Sequence, residues 1–128
     1  MIKVVAALIF KDKKVLIAKR KDKGNSGLKW EFPGGKVEAN EDEYQAIERE
    51  IKEEFNVIVK AKKFICNSIY EYPDKIIDLR LYECEYISGK FILIDHLDYK
   101  WVNIDDLSLY DLASADISLA NYIKNIYK

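Results

Sequence analysis

Cysteine is scarce in this chain, with two residues among 128, and its placement rules out the chemistry that cysteine most often signals. Cys66 and Cys84 have neither metal-site nor redox-motif spacing, so buried thiols are expected rather than a disulfide. Net charge is also lacking. The 21 basic and 22 acidic residues leave a formal −1, which argues against a polyanion-binding surface and against nucleic acid as a partner, despite nine tyrosines and many lysines. No apolar run is long enough to span a bilayer: VVAALIF, residues 4–10, falls far short. Lys11 to Lys14 follow it without a small-residue cleavage site, so an unprocessed cytoplasmic chain with no membrane partner is expected. Repeats and low-complexity segments are absent.

What is present fits one domain over residues 1–128: a composition 49% hydrophobic and 34% charged, typical of a soluble globular protein with a real core. Residues 2–10, IKVVAALIF, and 15–20, VLIAKR, read as strands joined by a polar hairpin turn. KDKGNSG, residues 21–27, reads as a flexible loop, residues 29–32 as a short extended segment, and Pro33-Gly34-Gly35 as a turn. Asn40 is the expected N-cap of a helix over 41–55. Beyond it, residues 57–72 read as one or two strands, YPDK as a turn and IIDLRLYECEY as the return strand. FILI at 91–94 and YKWVNI at 99–104 read as further strands, Asp105-Asp106-Leu107 as a short helical turn, and Ser114 as the N-cap of a C-terminal helix. Strands, one helix, more strands and a second helix make an α/β or α+β fold, a mixed sheet packed between helices.

The first helix carries the chemistry. Tyr44, Ile47, Ile51 and Phe55 recur at three- and four-residue intervals and are expected to form its buried stripe. Glu50, Glu53 and Glu54 stand at i, i+3 and i+4 on a second face. Each like-charged pair there costs ~0.2–0.5 kcal/mol, and an acid near the helix C-terminus costs roughly 0.3–1 kcal/mol against the macrodipole. Such a face is either simply solvated or a cation site; a bound cation reverses the sign of the repulsion. Close carboxylates on a rigid element suit Mg²⁺ or Mn²⁺ better than zinc.

The wider spacing separates these readings. Gly35 is followed after five residues by Glu41, after seven more by Arg49-Glu50, and then by Ile51, Glu53-Glu54, Asn56 and Val57. Residues 35–57 thus resemble the Nudix box, G-x5-E-x7-R-E-U-x-E-E-x-G-U with U apolar, departing only at Asn56 where the family has Gly. Asn tolerates the left-handed backbone that position needs.

The resemblance implies an α/β/α sandwich and a hydrolase that uses water and a divalent metal to cut a nucleoside diphosphate linked to another group. It places Glu50, Glu53 and Glu54 at the metal-binding positions, with the Gly34 carbonyl as a further ligand. The base that activates water stays open between Glu50 and an acid outside the box. Arg49 is expected to orient a catalytic Glu, and Glu41 either supports it or is only a good first-turn acid. Lys36 stands at a position near the phosphates, or is a surface lysine.

KWEFPGGKVE, EYPDK and LASADI extend the resemblance to MutT-type nucleoside triphosphate pyrophosphohydrolases and the related CTP pyrophosphohydrolases. In that subgroup a later acid, six residues before a tryptophan, completes the metal site; Asp95 precedes Trp101 by that interval, with Asp98 as the alternative. His96, the one histidine, is adjacent, and a lone loop histidine is more often bland than catalytic. Arg20 falls where the pattern has a substrate-contacting arginine. Phe32 falls where it has an aromatic near the base, or serves core packing. Asp116 replaces an asparagine that reads a purine: ionised Asp only accepts, which suits an exocyclic amine such as cytosine N4, although an acid there also suits a helix start. Pro73 lies where ADP-ribose hydrolases carry a proline, but MutT-type chains share it.

The expectation is a Mg²⁺-dependent nucleoside triphosphate pyrophosphohydrolase that favours cytidine or modified cytidine nucleotides. The alternatives are an 8-oxo-dGTP diphosphatase and, from another class, a catalytically inactive nucleotide-binding module. The chain is expected to act as a monomer or homodimer.

Overall fold

The computed structural model describes residues 1–21 and 27–127; the loop expected at 21–27 lies, apart from its ends, outside them. Strand β1 (Ile2–Lys11) turns at Asp12 and Lys13, both with positive φ (51° and 67°), into β2 (Lys14–Arg20). A two-residue turn with φ positive at both centres matches the right-handed strand twist. The hairpin as expected is present, yet the register of β1 with β2 holds only at Phe10↔Val15 and Lys11↔Lys14. The two strands then part.

Beyond the parting, β1 pairs antiparallel with β4 (Gly34–Lys36) and parallel with β6 (Lys75–Ser88), while β2 pairs with β3 (Trp30–Glu31) and β7 (His96–Val102). Strand β5 (Ile58–Tyr72) is one strand of 15 residues, interrupted by register shifts, and pairs with β6 through the expected Pro73-Asp74 turn. These seven strands form one mixed sheet among the described residues. Gly34 and Gly35 are therefore strand and not the expected turn. A Cβ at Gly34 would collide with the Val5 carbonyl, so only glycine lets β4 lie this close to β1.

Two helices cover the sheet. Val5, Ala7 and Ile9 of β1 pack with Ile47, Ile51 and Phe55 of α1 (Glu43–Phe55), while Ala6 and Leu8 pack with Leu119 and Ile123 of α2 (Ser114–Ile126). A strand buried on both faces needs a continuous apolar run, which is why β1 does not alternate. Tyr44, expected in the buried stripe, is 42% exposed and packs edge-on against Tyr82, while Ala46 takes its place in the core. Among the described residues no helix is long and apolar enough to cross a membrane.

Helix α1 starts two residues later than expected. Its N-cap is Asp42, whose Oδ1 accepts from the Gln45 amide at 2.8 Å while Gln45 Oε1 accepts from the Asp42 amide at 2.9 Å. Asn40, expected to cap, has φ of 68° and lies in the approach turn. At the other end Asn56 is left-handed, φ 60° and ψ 33°, as the box position requires. FILI is not a strand. The Ile92 and Ile94 amides instead donate to the Phe55 and Glu54 carbonyls at 3.0 and 3.3 Å, satisfying acceptors the helix end leaves open. The expected helical turn after β7 is a 3-10 helix at Ile104–Leu109. Ser114 is the first residue of α2 and not its cap; the N-cap is Ala113, held by its amide on the Trp30 carbonyl at 2.8 Å.

Candidate functional site

Arg49 organises the acidic face of α1. Its Nε and Nη2 donate to the two oxygens of Glu41 at 3.0 and 2.6 Å, and its Nη1 donates to Glu50 at 2.8 Å and Glu53 at 3.3 Å. Nη2 also donates to the Lys36 carbonyl at 3.1 Å, tying the helix to β4. The hydrogen bond from Arg49 lowers the Glu41 pKa, and Glu41 first and then Glu50 raise that of Arg49. Burial outweighs Arg49 at Glu50, whose pKa is raised. A Cβ on Gly35 would meet the Glu50 carboxylate, so this glycine leaves the space Glu50 occupies.

Glu54 is placed differently. Its Oε1 is buried with no hydrogen-bond partner among the described residues. Burial first, and then the charges of Glu50, Glu31, Asp95 and Glu53, push its pKa up to about 8. Among the described residues no group of three or more His, Cys, Asp or Glu side chains is gathered as a ready metal cage. Arg49 draws Glu50 and Glu53 toward itself. An orphaned carboxylate oxygen amid four further acids nevertheless fits a hard divalent cation, which would supply the missing partner and neutralise the crowd.

Where β1 and β2 part, a cleft of about 160 Å³ opens, lined by Arg20, Glu31, Phe32, Gly34, Gly35, Glu54, Asp95, His96 and Asp116 among others. A space this small takes part of a nucleotide-sized ligand, less than the ~300 Å³ of a typical enclosing pocket, so the remainder must lie in the open. Asp116 is 4% exposed, and its Oδ2 accepts from the Phe32 amide at 2.9 Å. Burial, and next the charge of Glu31, raise its pKa well above the usual carboxylate range, against the Phe32 amide and Arg20. Arg20 Nη1 donates to Glu31 Oε1 at 2.8 Å, and His96 Nε2 lies 2.8 Å from Glu31 Oε2.

The sequence model for the NUDIX domain matches residues 4–121 of this chain. The chain belongs to the Nudix hydrolase family. It is 34% identical over 119 residues to the CTP pyrophosphohydrolase of Escherichia coli (strain K12), covering 93% of this chain and 88% of that protein. It is 36% identical over 112 residues, 88% of each chain, to the 8-oxo-dGTP diphosphatase of Buchnera aphidicola subsp. Acyrthosiphon pisum (strain APS). Its fold matches the solution structure of the E. coli ORF135 protein with a TM-score of 0.86 at 31% identity, covering 99% of this chain and 91% of that one. The α/β/α sandwich expected of a Nudix hydrolase is the fold observed.

The Nudix fold brings most of the residues singled out by sequence to one place. Arg20, Phe32, Gly34, Glu54, Asp95 and Asp116 line the cleft, and Glu50 abuts it at Gly35. Glu53 is largely exposed beside Arg49. The Lys36 side chain is exposed and Asp98, exposed on β7, accepts from the adjacent Tyr99 amide; neither is among the described residues that line the cleft. Glu31, within the KWEFPGG stretch, and His96, which the sequence alone presents as a bland loop histidine, also line the cleft and are bonded to each other there. The available signal was Glu31's place beside Phe32 and His96's beside Asp95, but linking them needs the β2–β3 and β2–β7 registers.

Proposed function

We propose that this Nudix hydrolase is a divalent-metal-dependent nucleoside triphosphate pyrophosphohydrolase, cutting a nucleoside triphosphate to monophosphate and pyrophosphate, with cytidine nucleotides favoured. The observation that carries this reading is that one cleft contains both Glu54, from the acidic face of α1, and Asp116, from the first turn of α2, with the Glu31 charge acting on both. A phosphate-handling face and a base-reading carboxyl are thereby within reach of one nucleotide.

Mg²⁺ or Mn²⁺ would be held by Glu50, Glu53, Glu54, Asp95 and the Gly34 carbonyl, and when bound it supplies the positive charge that neutralises phosphate oxygens and acidifies water. Arg49 restrains Glu50 and, braced by Glu41, sets where that carboxylate lies before substrate arrives. A carboxylate of Glu50, or an acid of the cleft outside the box, takes the proton from the attacking water. Phe32 donates its amide to Asp116 and so fixes one of the two carboxyl oxygens. With the proton off, Asp116 accepts from an exocyclic amine such as cytosine N4.

The raised pKa of Asp116 favours a second reading. With the proton on, Asp116 donates as well, and a guanine O6 becomes an acceptable partner, as an 8-oxo-dGTP diphosphatase requires. Pyrophosphate release from CTP, dCTP, 5-methyl-dCTP, dGTP and 8-oxo-dGTP, compared as kcat/KM, separates the two. The cytidine reading expects a cytidine nucleotide to lead; equal or better turnover of 8-oxo-dGTP removes it. Nucleotide binding without turnover of any of the five supports instead an inactive binding module.

A further inference from the structure

We propose that His96 is a positioning residue that sets Glu31, and through Glu31 the discrimination between bases at Asp116; this rests on the nucleotide-hydrolase reading above. His96 is 7% exposed at the start of β7. Its ring stacks on Phe55, the last residue of α1, with centroids 5.0 Å apart and planes 22° from parallel. Its Nε2 faces Glu31 Oε2 at 2.8 Å. The carboxylate offers only acceptors, so Nε2 is the nitrogen that carries hydrogen.

Strand register makes this clamp. Arg20 and His96 are cross-strand partners on β2 and β7, at a register shift between Lys19 and Arg20 that re-aims the strand end. Glu31 sits on β3, the other neighbour of β2, and is gripped from both sides: Oε1 by Arg20 at 2.8 Å and Oε2 by His96 at 2.8 Å. Both oxygens are thus directed in the free protein. Glu31 is also the charge whose field reaches both Asp116 and Glu54. Releasing one oxygen lets the carboxylate turn about Arg20 and changes the polarity beside Asp116, where the base edge would lie. The bonds that hold Glu50 and Glu53 to Arg49 on α1 do not involve Glu31 and are left in place.

A structural role for the ring and a positioning role for its N–H are separable. His96→Phe keeps a ring on Phe55 and removes the donor; His96→Gln keeps a donor at the corresponding reach and removes the ring. Steady-state kinetics on CTP and dGTP, with dissociation constants for both measured calorimetrically in EDTA, give the readout. Thermal melting checks folding. His96→Phe is expected to melt close to the unsubstituted protein, raise KM for the preferred nucleotide about tenfold, change kcat far less, and move the CTP-to-dGTP ratio toward one by about tenfold, the size expected for losing a hydrogen bond to a charged group. His96→Gln is expected to retain the ratio even where it melts earlier. An unchanged ratio and KM in His96→Phe, or a loss in His96→Gln as large as in His96→Phe, overturns the role of His96. So does an unsubstituted protein that binds the two nucleotides equally. Failure of the unsubstituted protein to hydrolyse either nucleotide overturns the activity reading, while the dissociation constants still decide the His96 claim.

Discussion

Arg49 hydrogen-bonds Glu50 and Glu53, whereas Oε1 of Glu54 is buried without a partner among the described residues. The consequence is a pH dependence of stability in the metal-free protein. The Glu54 pKa is raised from 4.5 to about 8 on folding, so the folded state holds the proton more tightly than the unfolded chain. Its contribution to stability is full below the unfolded value and is lost as pH rises toward about 8. In EDTA, Glu54→Gln is expected to match the unsubstituted protein near the unfolded pKa and to become progressively more stable than it up to about pH 8, by denaturant titration. Adding Mg²⁺ should stabilise the unsubstituted protein and leave Glu54→Gln little changed. The two adjacent glycines give a second contrast. A Cβ at Gly35 meets first the movable Glu50 carboxylate, whereas at Gly34 it meets Val5 backbone. Gly35→Ala should therefore fold with nearly native stability and lose about a hundredfold in kcat through displaced Glu50. Gly34→Ala should unfold at clearly lower denaturant. At this scale the sequence was informative where spacing along one helix sufficed, as for Arg49 and the glutamates. It was uninformative for Glu31 and His96, whose meeting depends on strands that are neighbours only in the sheet.

Among the elements, α1 was the most legible, because its caps and stripe are local. Asn56 was expected left-handed and is, with its amide on the Lys52 carbonyl and its side chain donating to the Lys90 carbonyl at 3.2 Å. Asn56→Ala should cost about 1–2 kcal/mol from the left-handed backbone alone, with any loss from the side-chain bond added to it. Asn56→Gly should recover the backbone part, as read from urea midpoints. Both Asn40 and Asp42 are residues that cap helices, and each has a box-forming side chain three residues on, Glu43 and Gln45; Gln45 closes the box on Asp42, whereas Glu43 Oε1 accepts from Arg80 Nε and the Tyr82 hydroxyl at 2.6 Å each and is not free to close one on Asn40. FILI has the composition of a strand, but the Ile92 and Ile94 amides are taken by the end of α1, and a tertiary demand of that kind leaves no trace in local composition.

For the whole molecule, the parting of β1 and β2 after two residue pairs creates the cleft. Strand composition announced both strands and their hairpin turn but not where they separate, since separation depends on β4, β6, β3 and β7 competing for their edges. The sandwich came from the resemblance of residues 35–57 to a known family, and the family match over residues 4–121 agrees with it. In the proposed reaction water divides a nucleoside triphosphate between its α- and β-phosphates in a cleft whose acids would hold a divalent cation. Phosphorus NMR of CTP incubated with the protein and Mg²⁺, beside the same mixture in EDTA, tests it most directly. CMP and pyrophosphate appearing only with the metal is the predicted result. CDP and orthophosphate, or the same products at the same rate in EDTA, would contradict it.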